Sequence, residues 1–127
     1  MTASGHAIFL SLGEGTPSNG GPRSNNGMRA LLDPPVRESA VVYVNNRRVG
    51  AVWCPPYEVD VTTFVHAGEN QLRIVVANLA LNEMAGSPLP DYTALVAKYG
   101  DRFQPQDMAA VQPVSSGLLG PIRLIGR

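Results

Sequence analysis

The sequence predicts an all-β fold built from antiparallel strands, and three observations carry that prediction. Residues 41 to 78 run as strand, turn, strand, loop, strand, corner, strand. Within these runs apolar residues recur with period two, the spacing of a strand with one buried face. Asn, Gly and Pro punctuate the runs at the short intervals of an antiparallel meander.

The elements follow in order. Ala7 to Leu12 reads as an opening strand. Gly13 to Asn26 is rich in Gly, Pro, Ser and Asn and cannot supply a core face, so residues 13–35 are expected to form a long flexible loop. Met28 to Leu32 fits one helical turn ahead of Asp33-Pro34-Pro35, and Val36 to Ala40 leads into the next strand.

Val41 to Val44 and Val49 to Trp53 are strand-like and flank Asn45-Asn46, whose short amides tolerate the positive φ of a tight primed turn. Val42 and Val44 point to one face and Val41 and Tyr43 to the other. Both faces are therefore apolar, as in an internal strand. Pro55-Pro56 ends the second strand because neither proline can donate to a ladder. Tyr57, Val59 and Val61 alternate with Glu58, Asp60 and Thr62. Thr62 to Ala67 makes a corner, Gly68 supplies a left-handed position, and Leu72, Ile74 and Val76 alternate up to Asn78.

The segment from Leu79 to Gly86 suits a strand extension or a helix equally. Tyr92, Leu95, Val96 and Tyr99 share one helix face, with Asp91 as N-cap and Gly100 as C-cap. Asp107 to Val111 suits a second short helix. Residues 86–116 thus form a helical insertion before a last strand containing Ile122, Arg123 and Leu124.

Composition bounds the function. The 127 residues are expected to form one domain, residues 1–127, with 44% hydrophobic content and a net charge of zero from ten basic and ten acidic residues. No nucleic acid partner is expected, since Arg47-Arg48 is a pair at a hairpin tip and not a basic face. No run approaches the ~20 apolar residues of a membrane span, and Ala7 to Leu12 is too short and lacks the basic leader of a signal peptide. Cys54 is the single cysteine. This excludes an internal disulfide, and with no nearby His the residue reads as a small buried hydrophobe.

Candidate chemistry is sparse. His66, Asp60 and Ser115 or Ser116 can in principle make a triad, but no Gly-x-Ser-x-Gly elbow exposes a nucleophile. Glu58 and Asp60 share a strand face about 7 Å apart, within the rough 5 to 9 Å of glycosidase carboxyls, although two solvated acids on an alternating strand is the simpler reading. Trp53 and Tyr57 flank the Cys-Pro-Pro loop and offer rings against which sugar C–H faces pack, with Arg48 and Asn78 as hydrogen-bonding partners; Trp53 reads equally well as core.

The string YVNNRRVGAVWCPPYEVDVTTFVHAGENQLRIVVANLALN resembles the sugar-binding β-sandwich of glycoside hydrolase family 2 and its relatives. There a Val-Asn-Gly hairpin, an aromatic or proline-rich loop, Asp-Val-Thr and Gly-Glu-Asn-x-Leu follow in the same order. The stretch from PDYTALVAKYGDRF to SGLLGPIRL resembles the C-terminal end of the α-L-rhamnosidase-like proteins of glycoside hydrolase family 106. The resemblance spans roughly residues 36 to 127, with FLSLGE similar to the opening strand.

The resemblance implies a galactose-binding-like jelly roll that serves as a carbohydrate-associated accessory or binding module, non-catalytic by itself, beside a catalytic domain. It leaves the compartment open, a fragment of a secreted or periplasmic bacterial enzyme being the implied source. It also implies a structural calcium ion, for which Glu14, Asn78, Asn82 and Asp91 are the oxygen donors in loop positions. The alternatives are a small, calcium-dependent hydrolase of a glycoside, ester or lactone using His66 and Asp60, and a purely structural domain.

Overall fold

A computed structural model describes residues 5–18, 30–101 and 111–127. The chain divides into two compact units, Met1–Asn78 with Ser116–Arg127, and Leu79–Ser115.

Among its described residues the first unit is all-β. Its strands are β1 (Ile8–Ser11), β2 (Thr16–Pro17), β3 (Leu32–Asp33), β4 (Val36–Arg37), β5 (Ser39–Val44), β6 (Arg47–Val52), β7 (Glu58–Asp60), β8 (Leu72–Ala77), β9 (Gly117–Leu118) and β10 (Arg123–Gly126). Two three-stranded antiparallel sheets, ordered β6-β5-β8 and β10-β1-β7, are accompanied by the pairs β2-β3 and β4-β9. An apolar cluster joins the two larger sheets, with Ala40, Val42, Val44 and Val52 from one, Leu10 from the other, and Leu12, Val36, Tyr57 and Val61 beside them. The sheets approach closely at Gly50, where an added Cβ would lie 3.4 Å from Val59 Cγ1. This is the expected all-β sandwich.

Local chemistry accounts for the hairpin. Asn45 and Asn46 adopt φ of 50° and 63°, the left-handed pair of a type I′ turn, and Val44 pairs with Arg47 across it. Val42 faces Gly50 while Tyr43 faces Arg48, so Val49 is an extra residue in a β-bulge. β5 is the central strand of its sheet, consistent with its two apolar faces.

The expected meander is corrected. β7 leaves the hairpin sheet and pairs with β1, Leu10 facing Val59, and β8 returns to the opposite edge of β5, Val42 facing Ile74. The prolines stop pairing along β6, and the alternating pattern of β7 then buries Tyr57 and Val61 against the core from the other sheet. Period two specifies a buried face but not a partner strand.

The stretch read as a long loop contains order: Thr16 pairs with Asp33 and Pro17 with Leu32. Leu32 is therefore in a strand and not in a helical turn. The rest of that proposed turn lies partly outside the described residues, as does the helix expected over Asp107 to Val111 apart from Val111.

Among its described residues the second unit holds two short helices, α1 (Ala80–Gly86) and α2 (Tyr92–Tyr99). The segment that suited strand or helix is thus helical. The carboxylate of Asp91 accepts from the Ala94 N–H at 3.1 Å, and Gly100, at φ 78°, donates its N–H to Val96 O, so both expected caps are in place. Asn82 holds the returning chain by two bonds, accepting from the Val114 N–H at 2.8 Å and donating to the Val114 carbonyl at 2.9 Å.

Candidate functional site

Register across β7, β1 and β10 builds one polar row. Ser11 pairs with Glu58 on one side and Arg123 on the other, and Ser11 alternates with Leu10, whose side chain enters the core. The row therefore lies on the face of the sheet that points away from the core. Ser11 is only 5% exposed and forms the floor of a cleft of about 230 Å3, walled by Glu14, Glu58, Pro121, Arg123 and Ile125. Its hydroxyl oxygen accepts from the Gly13 N–H at 3.3 Å.

One wall of the cleft is fixed. Both carboxylate oxygens of Glu58 accept from Arg127 Nη2, at 3.0 and 2.9 Å, and the Arg127 guanidinium lies over the Phe9 ring at 4.9 Å. The opposite wall, Arg123, forms no ion pair among the described residues. Glu14 and Glu58, expected separately as a metal donor and an acid, are thus brought to the same cleft. Ser11 and Arg123 were not legible as site residues, because only the pairing of β1 with both neighbours aligns them.

A second cleft, of about 190 Å3, opens between β8 and β10 and is walled by Val44, Val65, Leu72, Ile122 and Leu124. Its rim amide, Asn70, is fully engaged: Oδ1 accepts from Asn45 and the His66 N–H, and Nδ2 donates to the His66 and Gly68 carbonyls. Gln71 and Arg123 also line this cleft, whose surface is otherwise mainly apolar.

The two rings expected to act together are separated by depth. Trp53 is 70% exposed, whereas Tyr57 is 8% exposed and belongs to the core cluster. Trp53 is therefore not core, and Tyr57 is not displayed beside it. Arg48 is exposed on β6 opposite Tyr43, with the Arg73 guanidinium over the same ring at 3.9 Å. Asn78 is exposed after β8. Cys54, read as a buried hydrophobe, is exposed, because the Cys54-Pro55-Pro56 loop runs outside both sheets.

The acid–base candidates do not converge. The Asp60 carboxylate accepts from the Thr62 hydroxyl and, at 2.8 Å, from the Thr62 N–H. These bonds, the hydroxyl first, hold its carboxyl below the usual carboxylate range. Such a group stays ionised near neutrality and is unsuited to donating a proton. His66 turns Nδ1 to the Ala67 carbonyl at 2.9 Å, and no hydrogen bond joins it to Asp60 among the described residues. Glu58 and Asp60, two apart on β7, are each held by a different partner.

Of the expected calcium donors, Asn82 is occupied by Val114 and Asp91 by the cap of α2, while Glu14 lines the polar cleft. No three His, Cys, Asp or Glu residues come together among the described residues. No helix there is long and apolar enough to cross a membrane.

No protein-family model matches the chain. Its structure is similar to a rhamnosidase from Novosphingobium sp. PP1Y with a TM-score of 0.62 and 28% identity, covering 98% of this chain and 10% of that one. Over 64 residues, half of this chain and 5% of the relative, it is 39% identical to a Formosa agariphila protein named "Putative beta-glucuronidase". The chain thus spans a tenth or less of the length of the proteins it matches. It is a β-sandwich related to segments of much larger glycoside hydrolases.

Proposed function

We propose that this chain is a carbohydrate-associated accessory module of a glycoside-hydrolase-like protein, not catalytic by itself. In this reading the sandwich is a galactose-binding-like jelly roll, akin to the C-terminal domain of glycoside hydrolase family 106 and the sugar-binding domain of family 2, and a catalytic domain is its neighbour. The observation that carries the reading is the alignment of nearly the whole chain with one-tenth of a rhamnosidase. A segment with its own apolar core that matches a small part of a much larger enzyme supports reading the chain as one domain beside others. The dispersal of His66, Asp60 and Glu58 onto separate partners supports the non-catalytic part.

The test combines binding and turnover. Calorimetric titration of the purified chain with methyl α-L-rhamnoside and rhamnose-containing oligosaccharides is expected to give saturable binding, with no release of chromophore from nitrophenyl glycosides or esters. Turnover that survives purification and disappears in His66→Ala would overturn the reading in favour of a hydrolase.

A further inference from the structure

We infer that the cleft on the outer face of β10-β1-β7 is a binding site for one neutral pyranose ring, with Arg123 donating to its hydroxyls, Glu58 and Glu14 accepting from them, and Ser11 as the floor. This rests on the carbohydrate-module reading and gives it a location.

The argument begins with the row Glu58, Ser11, Arg123, aligned by strand register. Adjacent strands lie about 4.8 Å apart, so the carboxylate and guanidinium stand on strands about 10 Å apart, a gap that a six-membered ring with its hydroxyls fills. A small residue in the middle of the row creates the gap. Pro121 and Ile125 add an apolar wall, which suits the C–H face or a methyl group of a sugar. The volume, about 230 Å3, is suited to one ring and not to a long chain.

Charge selects the ligand class. Arg127 offsets Glu58, and Glu14 and Arg123 stand together in the cleft with opposite charge. The cleft as a whole is near neutral, yet it presents strong donors and acceptors. A sugar hydroxyl can donate to a carboxylate and accept from a guanidinium at once, and hydrogen bonds to charged groups are the stronger kind. A sugar carboxylate would meet both glutamates and a cation would meet Arg123. Preorganisation comes from Arg127, which holds Glu58 in place while itself resting on Phe9.

The test is a two-dimensional NMR titration of the isotope-labelled chain with methyl α-L-rhamnoside, and with glucuronate as the charged comparison. Saturable shifts in β1, β7 and β10 are expected, weakened at least tenfold for glucuronate. Arg123→Met, an exposed change that leaves the fold intact, is expected to weaken binding at least tenfold, and Ser11→Leu to abolish it by filling the floor. Trp53→Ala is expected to leave these shifts in place. Shifts confined to the surroundings of Trp53 and insensitive to Arg123→Met would overturn this site while leaving the module reading standing. No saturable shift with any neutral sugar would overturn the site and sugar binding together, and turnover would overturn the module reading alone.

Discussion

The side-chain amide of Asn45 donates to Oδ1 of Asn70 at 2.9 Å, joining the hairpin turn to a corner 25 positions further along the chain. The same amide nitrogen donates to the Phe64 carbonyl at 2.9 Å, and Asn45 Oδ1 accepts from the Gln71 N–H at 2.9 Å. Arg47, one residue beyond the turn, lies over Phe64 at 4.7 Å. A turn residue selected for its positive φ is also the lock between the hairpin and the start of β8.

This arrangement separates the two asparagines of the turn. Asn45→Gly keeps the left-handed backbone but removes three side-chain hydrogen bonds, and at about 1 kcal/mol each it is expected to cost about 2 to 4 kcal/mol. Asn46→Gly creates the favoured Asn-Gly turn and is expected to be neutral or mildly stabilising. Denaturant midpoints of the two variants, at unchanged m-value, check the contrast.

Trp53 and Tyr57 are expected to diverge in the same way. Tyr57→Ala empties a core position and should cost about 3 to 5 kcal/mol, whereas Trp53→Ala should change stability by no more than about 0.5 kcal/mol. Because Trp53 is the single tryptophan and exposed, its fluorescence maximum is expected near that of free indole in water, with little shift on unfolding. A strongly blue-shifted native maximum would contradict the exposed placement.

At Gly120 the constraint is space. An added Cβ would stand 2.5 Å from the Leu12 carbonyl oxygen and 2.7 Å from Pro35 Cβ, where the N–H groups of Leu119 and Gly120 both donate to the Pro35 carbonyl. Gly120→Ala must push backbone apart and is expected to cost about 1 to 3 kcal/mol, the range for overpacking. Gly68→Ala meets nothing within 4 Å but has φ of +93°, so its smaller penalty is conformational alone. Thermal unfolding of both variants measures the difference.

Acid should act through Asp60. Its folded pKa lies below the ordinary value of 3.8, chiefly through the Thr62 hydroxyl. A depressed carboxylate stabilises the fold above its unfolded pKa, and this contribution is lost as pH falls through the folded pKa. Asp60→Asn is therefore expected to lower stability at pH 6 and to converge with the parent chain on acidification below the ordinary carboxylate range. A carboxyl-resolved NMR titration giving Asp60 an elevated pKa would contradict this.

The turn at Asn45-Asn46, the end of β6 at Val52 before Pro55-Pro56, and the caps of α2 at Asp91 and Gly100 were legible from local chemistry. Each depends on dihedral preferences or hydrogen bonds within a few residues. The helical state of Ala80 to Gly86 was not legible, since its apolar pattern suited either period. The exposure of Cys54 and Trp53 was missed or left open for another reason: an apolar residue beside two prolines reads the same whether the loop folds inward or outward.

By itself the sequence determined that the chain is built from antiparallel β-strands, where its main hairpin turns, and which face of β7 is buried, because alternation and turn chemistry are short-range properties. The tertiary structure alone decided that β7 joins β1 while β8 returns to β5, that Tyr57 is core and Trp53 is not, and that Glu58, Ser11 and Arg123 form one row. Those outcomes depend on which strands pair across long sequence separations, and the cleft exists only where three distant segments are brought into register.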